Sequence, residues 1–245
     1  PSNPVVGPWQ ASLRWSEGVL RLDRFSAPHL EATADLPLAL RPGRGLGWGE
    51  LEARLRVTGL PLARLDRLVG TRLQGRLDAS GAVRGPLASL RPDLAFTVDR
   101  PGAGPLLLQE RWQGTLVADA TPPAGGPGAG GGLLRLSALA PAPPGRIEAR
   151  LDRRWLPERV ALQRQGGRLE LLGRPDGYRW TARGFPLQGL ALALGRDRRF
   201  HTLQGDLSGK GTLSLQPLAF NGRVDLLRPQ FLGLGGRRVE ATVAY

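Results

Sequence analysis

Two histidines, His29 and His201, are the only imidazoles in the chain, and cysteine is absent. Neither histidine has a second one, or a pair of acids, at the spacing that a metal or a proton relay needs. His-, Cys- and metal-dependent chemistry is therefore nearly excluded by inventory, and no metal ligand is assigned. The stretch Ser208-Gly209-Lys210-Gly211 superficially resembles a phosphate-binding loop, but only three residues separate Gly205 from Gly209 where that loop needs four, and Gly211 stands in the Ser/Thr place. The run from Gly125 to Gly132 lacks a flanking strand and helix and reads as a linker. Glu50 and Glu52, or Asp197 beside Arg198 and Arg199, have the groups for acid and base work, yet they alternate with apolar residues or sit in polar turns, where exposed charge belongs. Arg111-Trp112 and Arg179-Trp180 pair types that stack on nucleobases. Neighbours on a strand point to opposite faces, which turns each Trp inward and each Arg outward and argues against nucleic acid. The expectation is a protein that is not an enzyme, with no catalytic residue and no cofactor.

The elements that carry these residues announce themselves by period-2 alternation, the mark of a half-buried strand. Leu51, Ala53, Leu55 and Val57 alternate with Glu52, Arg54 and Arg56; Leu73, Gly75, Leu77 and Ala79 alternate with Gln74, Arg76 and Asp78. The same pattern recurs at Leu30 to Leu36, Leu94 to Val98, Trp112 to Ala118, Ile147 to Leu151, Leu169 to Leu171, Tyr178 to Ala182, Leu203 to Leu207, Leu213 to Leu215, Phe220 to Leu226 and Val239 to Tyr245. Turn signals fall between them at short intervals, among them Ser16-Glu17-Gly18, Arg41-Pro42-Gly43, Pro101-Gly102, Gln165-Gly166-Gly167, Pro175-Asp176-Gly177 and Leu234-Gly235-Gly236. Such spacing suits antiparallel hairpins and leaves no room for crossover helices. Register is ambiguous at 100–108 and 226–236. A flexible loop is expected at 121–132, and a shorter one at Pro141 to Gly145.

With 245 residues, 41% of them apolar, the chain is able to bury a sizeable core, but 35 glycines and 22 prolines mean that much of it is turn. The 34 basic and 21 acidic residues give +13, which raises nucleic acid, anionic membranes and acidic partners as candidates. Lys210 is the only lysine and the arginines are scattered, so the excess reads as a solvated face. No window reaches the ~18 apolar residues of a membrane helix, and Pro1 to Gly18 lacks the layout of a signal peptide. Without a Met even at position 1, the chain reads as an excised piece of a longer protein whose anchor and export signal lie elsewhere. The inward positions are mainly Leu and Ala, with Gly75, Gly114 and Gly205 interspersed, so the apolar face looks roomy and in need of a cover.

One stretch reads as a helix: Leu62, Leu65, Leu68 and Val69 follow Pro61 at helical spacing and stop at Gly70, with a weaker counterpart over Leu187 to Leu194. The two belong to an internal repeat of 59–85 with 184–213. Gly59-Leu60-Pro61-Leu62 matches Gly184-Phe185-Pro186-Leu187, and Leu73-Gln74-Gly75 with Leu77 matches Leu203-Gln204-Gly205 with Leu207. Repetition of an open amphipathic unit points to an extended array.

The Pro-Leu entry into a short Leu-spaced helix, followed by the strand pair from Leu73 to Gly85, resembles the TamB family of the AsmA-like superfamily, which includes cyanobacterial and chloroplast relatives. The second copy is similar through Gly211, with Gly195-Arg196-Asp197-Arg198-Arg199 in place of a clean helix end. The resemblance implies an all-β fold: a long, curved, mainly antiparallel sheet folded into a hydrophobic trough (a β-taco, or repeating β-groove) with one or two short helices. It also implies a periplasmic or intermembrane-space location in a Gram-negative-type envelope, anchored to the inner membrane by a segment absent here. Residues 1–245 would form one continuous segment of an envelope-spanning bridge whose groove carries phospholipid or other acyl lipid between inner and outer membranes. The alternative role is a scaffold partnering a BamA-type outer-membrane barrel in protein insertion or translocation. The residues expected to line the lipid groove are Leu55, Val57, Leu77, Leu94, Phe96, Trp112, Leu116, Ile147, Leu151, Leu169, Leu171, Trp180, Leu207, Leu215 and Val224.

Overall fold

A computed structural model describes residues 2–3, 7–41, 45–69, 71–119, 131–193, 199–215 and 218–244. Its body is one antiparallel sheet whose strands pair in the order in which the chain makes them. They are β1 (Gln10–Ser16), β2 (Val19–Ala27), β3 (Leu30–Arg41), β4 (Glu50–Pro61), β5 (Leu73–Pro86), β6 (Arg91–Ala103), β7 (Arg111–Asp119) and β8 (Gly131–Ala138). There follow β9 (Gly145–Leu151), β10 (Pro157–Arg164), β11 (Gly167–Arg174), β12 (Gly177–Pro186), β13 (Gln204–Leu215), β14 (Leu218–Phe231) and β15 (Arg238–Ala244). Among the described residues no pairing joins β1 to β15, so the sheet is open, not a barrel. At ~4.8 Å per strand it runs about 65–70 Å along its curve.

Cross-strand register aligns the apolar alternation into continuous rows. One row runs Phe25, Ala32, Leu55, Gly81, Leu94, Leu116, Leu134 and Ala149, each opposite the next. It continues through Val160, Leu171, Trp180, Gly211, Gly222 and Val243. Two residues along each strand, a second row runs from Val57 through Ala79, Phe96, Gly114, Leu136, Ile147, Leu162, Leu169, Ala182 and Gly209 to Val224. The opposite face carries cross-strand ion pairs: Arg21 with Asp35 at 2.8 Å, Arg159 with Glu170 at 2.9 Å and Arg238 with Asp225 at 2.8 Å. Arginines on this face thus make solvent-exposed cross-strand pairs, which water screens and which add little to stability.

Curvature shows in where the hairpin tips meet. A short strand in the β6–β7 connection, Leu106–Leu108, pairs with another in the β12–β13 connection, Leu190–Ala193, which in turn pairs with Phe200–Thr202. Five strands, β7 to β11, lie between β6 and β12, so the sheet must curl around for these tips to touch. The expected helix over Leu62 to Val69 is present as a 3-10 turn, Leu62–Leu65, running into Asp66–Val69. Its counterpart is not. Leu190–Ala193 is a strand, because Gly189 takes a left-handed φ of 84° that breaks any helix at its third residue.

The internal repeat reaches further than its sequence signature. In β4–β5–β6–β7 and in β12–β13–β14–β15 alike, a glycine of left-handed φ bulges the first strand, Gly59 at 58° and Gly184 at 50°. Each donates its N–H to the second strand, to Asp78 Oδ1 at 2.8 Å and to Ser208 Oγ at 2.9 Å. Gly75 at φ 109° and Gly205 at 110° then bulge the second strands against Arg100 at 46° and Arg228 at 49°. Pro101-Gly102 is therefore not a turn, and neither is Leu234-Gly235: β6 runs on to Ala103 and turns at Gly104-Pro105, while β14 runs to Phe231 and turns at Leu232-Gly233. The two stretches of ambiguous register are the same bulged hairpin tip.

A Cβ on Gly75 would lie 2.6 Å from the Asp99 carbonyl oxygen in a φ region that L side chains avoid. Gly75→Ala is expected to lower stability by about 1–3 kcal/mol, read as a lower urea midpoint at unchanged m-value. On the solvated face, the hydrogen bond from Arg159 holds the Glu170 carboxyl below the usual glutamate value, helped by Arg168. Its contribution is complete above the unfolded glutamate pKa of about 4.3 and disappears as pH falls through the lower folded value. An NMR titration of the Glu170 side-chain carboxyl carbon should show its midpoint below the free glutamate value of about 4.3.

Candidate functional site: the apolar face of the trough

Fourteen of the fifteen residues expected in the groove have described side chains, and the structure places them on one face of the sheet; the Leu215 side chain lies outside the described residues. Leu55, Leu94, Leu116, Leu171 and Trp180 share the first row, and Val57, Phe96, Ile147, Leu169 and Val224 the second. Leu77, Trp112 and Leu207 lie one step nearer the hairpin tips, and Leu151 one step the other way.

The face divides into two parts. From β7 onward it packs against itself. Trp112, Phe185 and Trp180 are 0%, 0% and 2% exposed, and with Leu162, Ala182, Leu187 and Val224 they form a closed cluster that takes in Ile147, Leu169, Leu171 and Leu207. The roominess inferred from small residues is overturned here: Gly75, Gly114 and Gly205 face backbone carbonyls of the neighbouring strands, and two further glycines receive tryptophan. Trp180 lies across Gly211 and Gly222, where a Cβ would sit 2.6 Å from the indole nitrogen and 2.5 Å from its ring carbon. It stacks on Phe220 with centroids 5.0 Å apart. The medium at this end is apolar enough to push the Tyr178 phenol above its usual pKa, chiefly by burial.

From β1 to β6 the same face is less filled: Leu38, Leu60 and Val98 are buried, but none of them joins the cluster. Leu55, Val57, Leu77, Leu94 and Phe96 are half-buried and stand outside the cluster. Leu13 and Trp15 on β1 pair with Leu22 and Leu20 on the inward side, yet remain 63% and 55% exposed. Sequence reasoning did not single out these two, although Leu13 and Trp15 carry the same alternation.

Where the hairpin tips meet, the groove is strapped. The pairing of Leu106–Leu108 with Leu190–Ala193 is flanked by hydrogen bonds from the Ala193 N–H to the Pro105 carbonyl and from the Gln109 N–H to the Gly189 carbonyl, both 2.8 Å. Beneath it lies an ion pair that the sequence reading missed. Arg164 Nη2 is 2.8 Å from Glu110 Oε1, with side chains 0% and 7% exposed. Arg164 also donates from Nη1 to the Gln188 carbonyl, and its guanidinium carbon lies 5.9 Å from the Trp112 ring centroid. The contact is ionic and poorly aligned: both Glu110 oxygens, Arg164 Nε and Nη2 and Trp112 Nε1 lack a hydrogen-bond partner. Parity was the available signal. Arg164 follows Val160 and Leu162 on the inward side, and Glu110 precedes Trp112.

Among the described residues no group of three or more His, Cys, Asp or Glu side chains is placed to hold a metal ion, and no helix is long and apolar enough to cross a membrane. No protein-family model, no curated protein and no solved structure matches the chain. The candidate site is therefore the open apolar face of β1–β6, closed off by the strap and the packed half beyond it.

The buried pair gives a clear energetic expectation. Glu110→Leu or Arg164→Met alone strands one buried charged group and should cost about 3–5 kcal/mol, whereas the double variant Glu110→Leu/Arg164→Met should fall within about 1 kcal/mol of the parent or exceed it. A double-mutant cycle by urea unfolding, followed by tryptophan fluorescence, measures the difference.

Proposed function

We propose that this chain is a segment of an envelope-spanning bridge protein, lying in the periplasm or intermembrane space, whose groove holds phospholipid acyl chains in transit between inner and outer membranes. The observation that supports the reading is the half-filled face: Leu55, Val57, Leu94 and Phe96 lie on the apolar side outside the packed cluster, and Leu13 and Trp15 on the same side are 63% and 55% exposed. An acyl chain of about 16 carbons gains on the order of 12 kcal/mol when it leaves water, at ~0.8 kcal/mol per methylene, and a trough lined by leucine supplies that burial without specific contacts. A sheet about 65–70 Å long would form part of such a bridge. The scaffold reading, in which the chain partners a BamA-type barrel, draws support from one separate feature, the outer edges of β1 and β15, which no strand among the described residues covers.

The two halves of the face give the lipid reading a differential test. Native mass spectrometry of the purified chain should find bound phospholipid. Leu77→Arg, in the open half, should leave the fold intact and remove most of that lipid, because a guanidinium placed there resists desolvation. Leu207→Arg, in the packed half, should unfold the protein instead. A folded Leu77→Arg variant that retains its full lipid load, or a parent without lipid that crosslinks to protein along β15, would overturn the lipid reading.

A further inference from the structure

The repeat assigns a partner to a surface that has none. In the first unit, Arg100 and Pro101 begin a hairpin tip whose return strand, Leu106–Leu108, pairs inward with β6, Leu106 opposite Ala103 and Leu107 opposite Gly102. In the second, Arg228 and Pro229 begin the same tip, and Leu234–Gly235 pairs with β14, Leu234 opposite Phe231 and Gly235 opposite Gln230. Arg100 donates its N–H to the Glu110 carbonyl at 3.1 Å, and Arg228 its N–H to the Arg237 carbonyl at 2.9 Å. Leu106 and Leu234 each follow their left-handed arginine by six residues (106 − 100 and 234 − 228).

The outer edges of the two tips differ. In the first unit, Leu190–Ala193 covers that edge as an antiparallel strand, and it comes from the connection between the first two strands of the following unit. In the second unit no strand among the described residues pairs there, and Leu232 and Leu234 are 56% and 77% exposed. A backbone edge flanked by bare leucine is a template for one more strand.

We propose that the Leu232–Gly236 tip is a docking site for an extended apolar strand supplied from outside residues 1–245, of the kind that Leu190-Ala191-Leu192-Ala193 presents to the first tip. Leucine alternates with a small residue in that strand, so the docked strand would lay its leucines beside Leu234 and extend the strap along the trough. The inference is independent of what the groove carries.

The test uses the absence of cysteine. Leu234→Cys, at an exposed hairpin tip, is the only thiol in its variant. A synthetic peptide of residues 187–203 carrying Leu192→Cys supplies the position that pairs with Leu106 in the first tip. Disulfide trapping at Leu234→Cys should be at least tenfold faster than at Leu87→Cys, an exposed turn position, and a scrambled peptide should abolish the difference. Amide exchange at Leu234 to Arg237 in the unaltered chain should slow when the native-sequence peptide is added. Equal trapping at both sites, preferential trapping at Ala241→Cys on the β15 edge, unchanged exchange, or a predominant chain-to-chain disulfide at Leu234→Cys without peptide would each overturn the proposal.

Discussion

Fifteen strands that share one apolar face and pair only with their sequence neighbours create a problem of cover, and the solution to that problem organises the molecule. A sheet of this kind ordinarily buries its apolar side against a second sheet or a layer of helices. Here, among the described residues, the helical content is the single short segment from Leu62 to Val69, and all fifteen strands belong to the one sheet. The sheet is left to cover itself by curling, and it does so unevenly. The part rich in tryptophan closes on its own side chains, while the part lined by Leu55, Val57, Leu94 and Phe96 stays uncovered.

The strap makes the division sharp. It ties the β6–β7 connection to the β12–β13 connection, and Trp112, Trp180 and Phe185 fill the curl beside it, in a cluster that runs on to Val224 of β14. An ion pair at the rim of such a core adds little net stability compared with apolar residues of the same volume. Its value lies in geometry. Glu110 leads into β7, Arg164 ends β10, and Gln188 belongs to the strap, so one guanidinium ties three separate parts of the curl to a single arrangement.

The sequence made the faces legible because alternation is local: Leu55, Leu94 and Leu171 declare their side from their immediate neighbours. It did not reveal which part of the face is filled. That outcome depends on Gly211 and Gly222 standing directly opposite Trp180, a matter of register between strands 31 to 42 residues apart in sequence (211 − 180 and 222 − 180). Small residues on the apolar side look like vacant space when read along a strand and like a socket when read across three. The same limit hid the ion pair, since the inward parity of Arg164 was visible and its partner was not. At 100–108 and 226–236 alternation failed because Arg100 and Arg228 take left-handed φ and shift the register, which no count of apolar positions registers.

The two units begin alike and then diverge, and one residue accounts for the divergence. After Pro61 the leucines fall at helical spacing without interruption, and the chain coils on itself between β4 and β5. After Pro186 the third residue is Gly189, whose left-handed φ of 84° ends any coiling and sends Leu190 to Ala193 across the groove as a strand. The same glycine clears the space beneath: a Cβ there would strike the Glu110 carboxylate and lie 2.8 Å from Arg164 Nη1. Conformation and clearance coincide at this position, so an L residue in place of Gly189 would oppose both the strap and the ion pair under it. The choice between a connection that coils locally and one that reaches across the trough is thereby made within a few residues, while its consequence is the closure of half the molecule.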